Sequence, residues 1–162
     1  MKEKKIELSF ISAQLSELST QEKQLVANAK SAVTTAYAPY SGFLVGASVL
    51  LDNGEIINGS NQENVAYPSG LCAERVALFY AGARFPDVKI KTIAVSVMSK
   101  AFKVTDVISP CGACRQVMAE YEDKQEQAIK VILHSPTDQV LIANTVESLL
   151  PFMFKSPLLK QH

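Results

Sequence analysis

At 162 residues with 48% apolar side chains, the chain has the length of one ordinary domain and enough hydrophobic material for a packed core. Lys plus Arg and Asp plus Glu each number 16, so the net charge is zero and no basic excess exists to grip a phosphate backbone, which argues against a nucleic-acid partner. No stretch approaches the ~20 apolar residues of a membrane span, and the charges of Lys2, Glu3, Lys4, Lys5 and Glu7 break any leader-like run, so a soluble, cytoplasmic protein without a membrane partner is expected.

Residues 5–10 alternate apolar and polar (Ile6, Leu8, Phe10), the pattern of a short strand or an extended arm. Leu25, Val26, Ala29, Ala32, Val33 and Ala36 recur at helical spacing and predict a helix over residues 21–37, with Thr20 as N-cap and Pro39 as its stop. Residues 43–51 and 55–58, joined by Asp52-Asn53-Gly54, read as a β-hairpin. Residues 72–84 predict a helix, 92–97 a buried strand, and 111–122 a helix after Pro110. Strands at 129–133 and 140–142 flank the turn Ser135-Pro136-Thr137-Asp138, and 146–150 forms a last helical turn. Two leading strands followed by alternating helix and strand imply an α/β fold, a three-layer α-β-α sandwich on a mixed five-stranded sheet. No repeat, linker or low-complexity tract divides the chain, so residues 1–162 are expected to form a single domain.

All three cysteines fall in two segments that open predicted helices, Cys72-Ala73-Glu74-Arg75 and Pro110-Cys111-Gly112-Ala113-Cys114-Arg115-Gln116. An odd number of thiols is no disulfide framework and suits a reducing compartment. Residues at i and i+3 share a helix face, so Cys111 and Cys114 can address one metal while Cys72 supplies a third thiolate. Helix N-termini favour the thiolate that zinc requires. Residues two apart on a helix diverge by ~200°, so Cys72 and Glu74 reach one site only if Cys72 is the cap. Three protein ligands leave a fourth tetrahedral position for water, the mark of a catalytic rather than a structural Zn2+ site. Zinc with three thiolates carries net negative charge, which opposes activation of water, and Arg75 is the candidate to offset it from behind the ligands. His134 and His162 sit in no motif and are assigned no ligand role.

Taken alone, a Cys-x-x-Cys is as often a structural knuckle or a redox pair. Here it stands in order with Tyr37-Ala38-Pro39-Tyr40-Ser41-Gly42-Phe43, Val45-Gly46-Ala47, Asn61-Gln62-Glu63-Asn64, Tyr67 and Leu149-Leu150-Pro151. In these residues the chain resembles the zinc-dependent cytidine deaminase family, and closely its small, homotetrameric, nucleoside-acting type. The likeness runs from about residue 21 to residue 154 and leaves residues 1–20 as an N-terminal extension; residues 99–109, before Pro110, form a longer stretch than the pattern.

The resemblance implies a cytidine deaminase-like fold and hydrolytic deamination of cytidine and deoxycytidine in pyrimidine salvage, with Glu74 carrying the protons. It implies that Asn61 and Glu63 hold the ribose 3′-hydroxyl, that Phe43 packs near the base, and that the Ala73 amide meets the pyrimidine edge. Tyr67 and Phe154 would reach a neighbouring subunit's site in a homotetramer or homodimer. The alternative is a deaminase of another aminated pyrimidine, such as blasticidin S. A polynucleotide editor would be expected to carry His as first ligand and a positive groove, which Cys72 and zero net charge speak against.

Overall fold

A computed structural model describes residues 1–156, so His162 lies outside the described residues. The elements run β1 (Ile11–Gln14), α1 (Thr20–Ala32), β2 (Phe43–Leu51), β3 (Ile56–Ser60), α2 (Ala73–Arg84), β4 (Ile90–Ser99), α3 (Gly112–Gln125), β5 (Lys130–His134) and β6 (Gln139–Ala143). They form one sheet of order β1-β6-β5-β4-β2-β3, antiparallel except for the β4–β5 pair, which α3 links as a parallel crossover.

The sheet has six strands, which corrects the expected five. The sixth is β1, and it does not lie on the alternating residues 5–10. Those residues have no regular structure, and Ile6, Leu8 and Phe10 are exposed. The partner strand explains the shift. Ile11 to Gln14 pair with Ile142 to Gln139, and β6 ends one residue beyond Ile142, so residues further upstream have no ladder to join.

The period-two alternation of each strand separates two cores. Ala47, Val49 and Leu51 of β2, Ile93 and Val95 of β4, and Val131 and Leu133 of β5 face α2 and α3, meeting Leu78, Cys114 and Met118. Leu50, Ala94, Ile132, Val140 and Ile142 face the other way onto Leu25, Val26 and Ala29 of α1. One helix on one face and two on the other give the three layers expected. Each fully buried Leu, Ile or Val contributes roughly 1.5–3 kcal/mol.

Two glycines set how deeply the helices seat. A Cβ on Gly46 would lie 2.1 Å from the Ala29 carbonyl oxygen, and one on Gly59 2.6 Å from the Ala77 nitrogen. The second contact brings α2 down on β3 and fixes the depth of its N-terminus.

The N-cap of α1 is Ser19, not Thr20: the Glu22 amide donates to its hydroxyl, and the Glu22 carboxylate accepts from the Ser19 amide in a reciprocal capping box. The helix ends at Ala32 and continues as a 3-10 turn to Thr35, short of the predicted residue 37. Tyr37 is drawn away because its amide donates to the Asn61 carbonyl and its carbonyl accepts from the Glu63 amide, at 2.9 and 2.8 Å. Residues 146–149 form a 3-10 turn, as expected of a last helical turn. Among the described residues, no helix is long and apolar enough to cross a membrane.

Candidate active site

Cys72 and Cys111 are both N-caps with extended backbone, at φ −71°, ψ 152° and φ −64°, ψ 162°. A cysteine cap lies outside helix geometry, so Cys72 and Glu74 can face one point, as the spacing argument requires. The ends of α2 and α3 therefore converge, and their unsatisfied amides bring partial positive charge to the same place.

The Cys72 and Cys111 sulfurs are 3.8 Å apart, those of Cys111 and Cys114 are 3.4 Å apart, and all three lie within 4.8 Å of one another. Thiolates bound to zinc at ~2.3 Å in a tetrahedron stand about 3.8 Å from each other, so the donor set is close to the spacing that ion requires. A hydrogen bond from Cys114, with help from Arg75, holds the Cys72 thiol down at about 5, while the same contact and burial push Cys114 up. The lowering favours the thiolate at Cys72, and a divalent cation would displace the remaining protons.

Glu74 is 4% exposed, and burial pushes its carboxyl up, reinforced by the Cys72 charge and opposed by Arg75. Arg75 lies beside the ligands. Its Nη2 is 3.6 Å from the Cys72 sulfur and 3.5 Å from the Gly70 carbonyl oxygen, and its Nε is buried without a hydrogen-bond partner. The guanidinium is therefore aimed at the Cys72 sulfur.

A cavity of about 750 Å³ opens over these groups. Its lining includes Phe43, Asn61, Glu63 and Tyr67 together with Cys72, Glu74, Arg75 and Cys111. Asn61 is buried and uses its amide as a strand would: Oδ1 accepts from the Val45 amide at 2.8 Å, and Nδ2 donates to the Phe43 carbonyl at 2.9 Å. One Nδ2 hydrogen and one Oδ1 lone pair are left over by those two bonds. Glu63 accepts from the Ser41 hydroxyl and from the Tyr40 and Ser41 amides, and these bonds, the hydroxyl first, hold its carboxyl below the usual range. Ala73 is the first residue of α2, where helix geometry gives its amide no intrahelical acceptor.

Phe154 is not gathered into the cavity of its own chain. It is 73% exposed, and the Gln116 side chain holds its backbone against α3, donating to the Phe154 carbonyl at 2.8 Å and accepting from its amide at 3.0 Å. Several lining residues were not anticipated from sequence, notably Ser41, which anchors Glu63, and Val95, Val97 and Ile108, which supply apolar wall. The alternation of β4 marks Val95 and Val97 as sharing a face; nothing local marks Ser41 as the partner of a residue 22 positions away.

The model of the cytidine and deoxycytidylate deaminase zinc-binding region matches residues 19–129. The chain belongs to the zinc-dependent cytidine deaminase family. It is 36% identical to a cytidine deaminase of Halalkalibacterium halodurans over 82% of this chain and 92% of that one. It is 44% identical to one of Sporosarcina psychrophila over 61% of this chain and 68% of the other. The crystal structure of a cytidine deaminase from Burkholderia pseudomallei superimposes with a TM-score of 0.71 at 37% identity, covering 82% of this chain and 98% of that chain. The Mycobacterium tuberculosis enzyme gives 0.66 at 30% identity, covering 85% of this chain and 100% of that one. The family and the three-sulfur donor set together make the cofactor Zn2+.

Proposed function

We propose that the chain hydrolyses the 4-amino group of cytidine and 2′-deoxycytidine, giving uridine or deoxyuridine and ammonia. The observation that carries this reading is a buried glutamate, Glu74, next to a three-thiol donor set at the floor of a nucleoside-sized cavity. Cys72, Cys111 and Cys114 would hold Zn2+, which would supply Lewis-acid activation of a water.

Glu74 does the proton chemistry. Its carboxylate takes a proton from the attacking water and delivers it to ring N3, where it stays in the product. A second proton, from the new hydroxyl on C4, passes through the same carboxyl to the amino nitrogen. The C4–N bond then breaks, the C4 carbonyl forms, and ammonia leaves. Burial suits Glu74 to hold that proton between transfers. Arg75 offsets the anionic thiolate cluster from behind Cys72.

Substrate is oriented by groups already fixed in place. The spare Nδ2 hydrogen of Asn61 and the ionised Glu63 carboxylate donate to and accept from the ribose 3′-hydroxyl. Phe43 faces the base and the Ala73 amide its edge. Tyr67 lines the cavity of its own chain, whereas Phe154 lies outside it with its side chain exposed. That exposed ring supports a homotetramer or homodimer in which Phe154, and with it the outer face of Tyr67, meets a neighbouring subunit's site. Residues 1–162 act as a single domain with residues 1–20 as an extension, in the cytoplasm and in pyrimidine salvage. No observation favours blasticidin S as substrate.

Incubating zinc-loaded protein with cytidine, and separately with deoxycytidine, tests the reading: uridine or deoxyuridine should appear with an equal amount of ammonia. Zinc-loaded protein inert on both nucleosides would overturn it.

A further inference from the structure

Residues 99–109, the stretch before Pro110, reach the cavity through Ile108 and Ser109. The Phe102 ring stacks on the ring of Phe43 with centroids 6.1 Å apart and planes 13° from parallel. Phe43 is the first residue of β2. Its backbone is pinned by the register with Ser99, by the Asn61 side chain on its carbonyl, and by the Ser41 hydroxyl accepting from its amide. None of these contacts fixes the ring, which lines the cavity.

The segment carrying Phe102 is itself built into the fold. The Ser99 hydroxyl accepts from the Ala101 and Phe102 amides at 3.1 and 3.3 Å. The Lys100 amide donates to the Gly42 carbonyl at 2.9 Å, where Gly42 takes φ +64°, a conformation glycine adopts without strain. Further on, Val104 is buried, and the Thr137 hydroxyl donates to the Thr105 carbonyl at 3.1 Å. Phe102 is therefore presented to Phe43 by a loop tied at both ends, although its own ring is 57% exposed.

We propose that Phe102 is a positioning residue that holds the Phe43 ring in its base-facing orientation. This rests on the deaminase reading above. A ring held in place before substrate arrives spares the binding step the cost of ordering it. It acts on the nucleoside equally before and during reaction, so its loss raises KM and leaves kcat alone.

The test compares the parent with F102A, F102L and F102Y, measuring zinc content, thermal midpoint, kcat and KM for cytidine, and the Kd of uridine by calorimetry. Phe102 is exposed, so truncation leaves the core intact. F102A should raise KM and the uridine Kd together by about three- to tenfold, with kcat within about twofold, as the loss of one aromatic pair predicts. F102Y, which keeps the planar face, should restore the parent value, and F102L should fall between. An active parent with F102A unchanged in KM, or with kcat reduced at constant KM, overturns the proposal alone. A parent that does not deaminate cytidine overturns the functional reading and the proposal with it.

Discussion

Two clusters of polar side chains sit on opposite faces of the same sheet, and only one opens on a cavity. On the α1 face the Ser96 hydroxyl lies 3.0 Å from His134 Nδ1, His134 Nε2 lies 3.0 Å from Asp138 Oδ1, and Lys30 pairs with Asp138 at 3.5 Å. The order of contacts imitates the serine–histidine–aspartate relay of hydrolases. Yet Ser96 and His134 are 3% and 2% exposed, and neither lines the cavity of about 750 Å³. In the other cluster Glu74 and Cys114 are buried, but Cys72, Glu74, Arg75 and Cys111 line about 750 Å³ of open space. Residue type and pairwise distance are common to both; access separates a site from a brace.

Burial lowers the His134 pKa, against the opposing pull of its bond to Asp138, so the ring is neutral at pH 7. The Ser96 hydroxyl then donates to Nδ1, and Nε2–H donates to Asp138. This network ties β4, β5 and the following turn to the end of α1, which is a structural task.

The largest effect should come from removing a ligand. Cys111→Ser should abolish zinc binding in metal analysis and bring turnover below detection, while Ser96→Ala leaves both within about twofold of the parent; a large loss of kcat in Ser96→Ala would erase the distinction between the clusters. Arg75→Ala comes next. It should lower activity or zinc affinity by about 10- to 100-fold, the usual cost of losing a group that supports metal ligands, and near-parental values would refute its role in offsetting charge.

Smaller still is the stability effect on the other face. Ser96→Ala leaves the buried Nδ1 without its donor and should cost about 1–3 kcal/mol in a denaturant titration. The acid limb tests His134. Its folded pKa lies below the ordinary 6.5, so its contribution is whole above pH 6.5 and is lost as pH falls from there through the folded value. Asp138, held below 3.8 mainly by the His134 hydrogen bond, adds a further loss as pH falls below 3.8. His134→Gln should flatten the decline that begins at pH 6.5; an unchanged limb would mean that His134 is not the group responsible.

Much of the catalytic face was legible because its signals are local. The demand that Cys72 and Glu74 share a site placed Cys72 at its cap, where the structure has it, while Cys111, expected within the first helical turn, is itself the cap of a helix that starts at Gly112. The Asp52-Asn53-Gly54 turn likewise marked the hairpin. What stayed hidden depends on pairings far apart in the chain. Ser96 meets His134 across the parallel β4–β5 register, 38 positions away, and periodicity carries no register. β1 was missed for the same reason, since its bounds are set by where β6 ends, and of the two readings of residues 5–10 the strand does not hold. Glu63 bonded to Ser41, and Phe102 stacked on Phe43, belong to this class too: the motifs point to the neighbourhood, and only the folded chain shows the contact.

The account stands or falls on Glu74 as the proton carrier beside a zinc it does not bind, and Glu74→Gln measured for zinc content and cytidine turnover on the same sample tests that directly. The predicted result is parental zinc and an unchanged fold, with kcat reduced by about 10²–10⁴ or more, as loss of a general acid–base requires. Zinc retained with turnover within a few fold of the parent would contradict it.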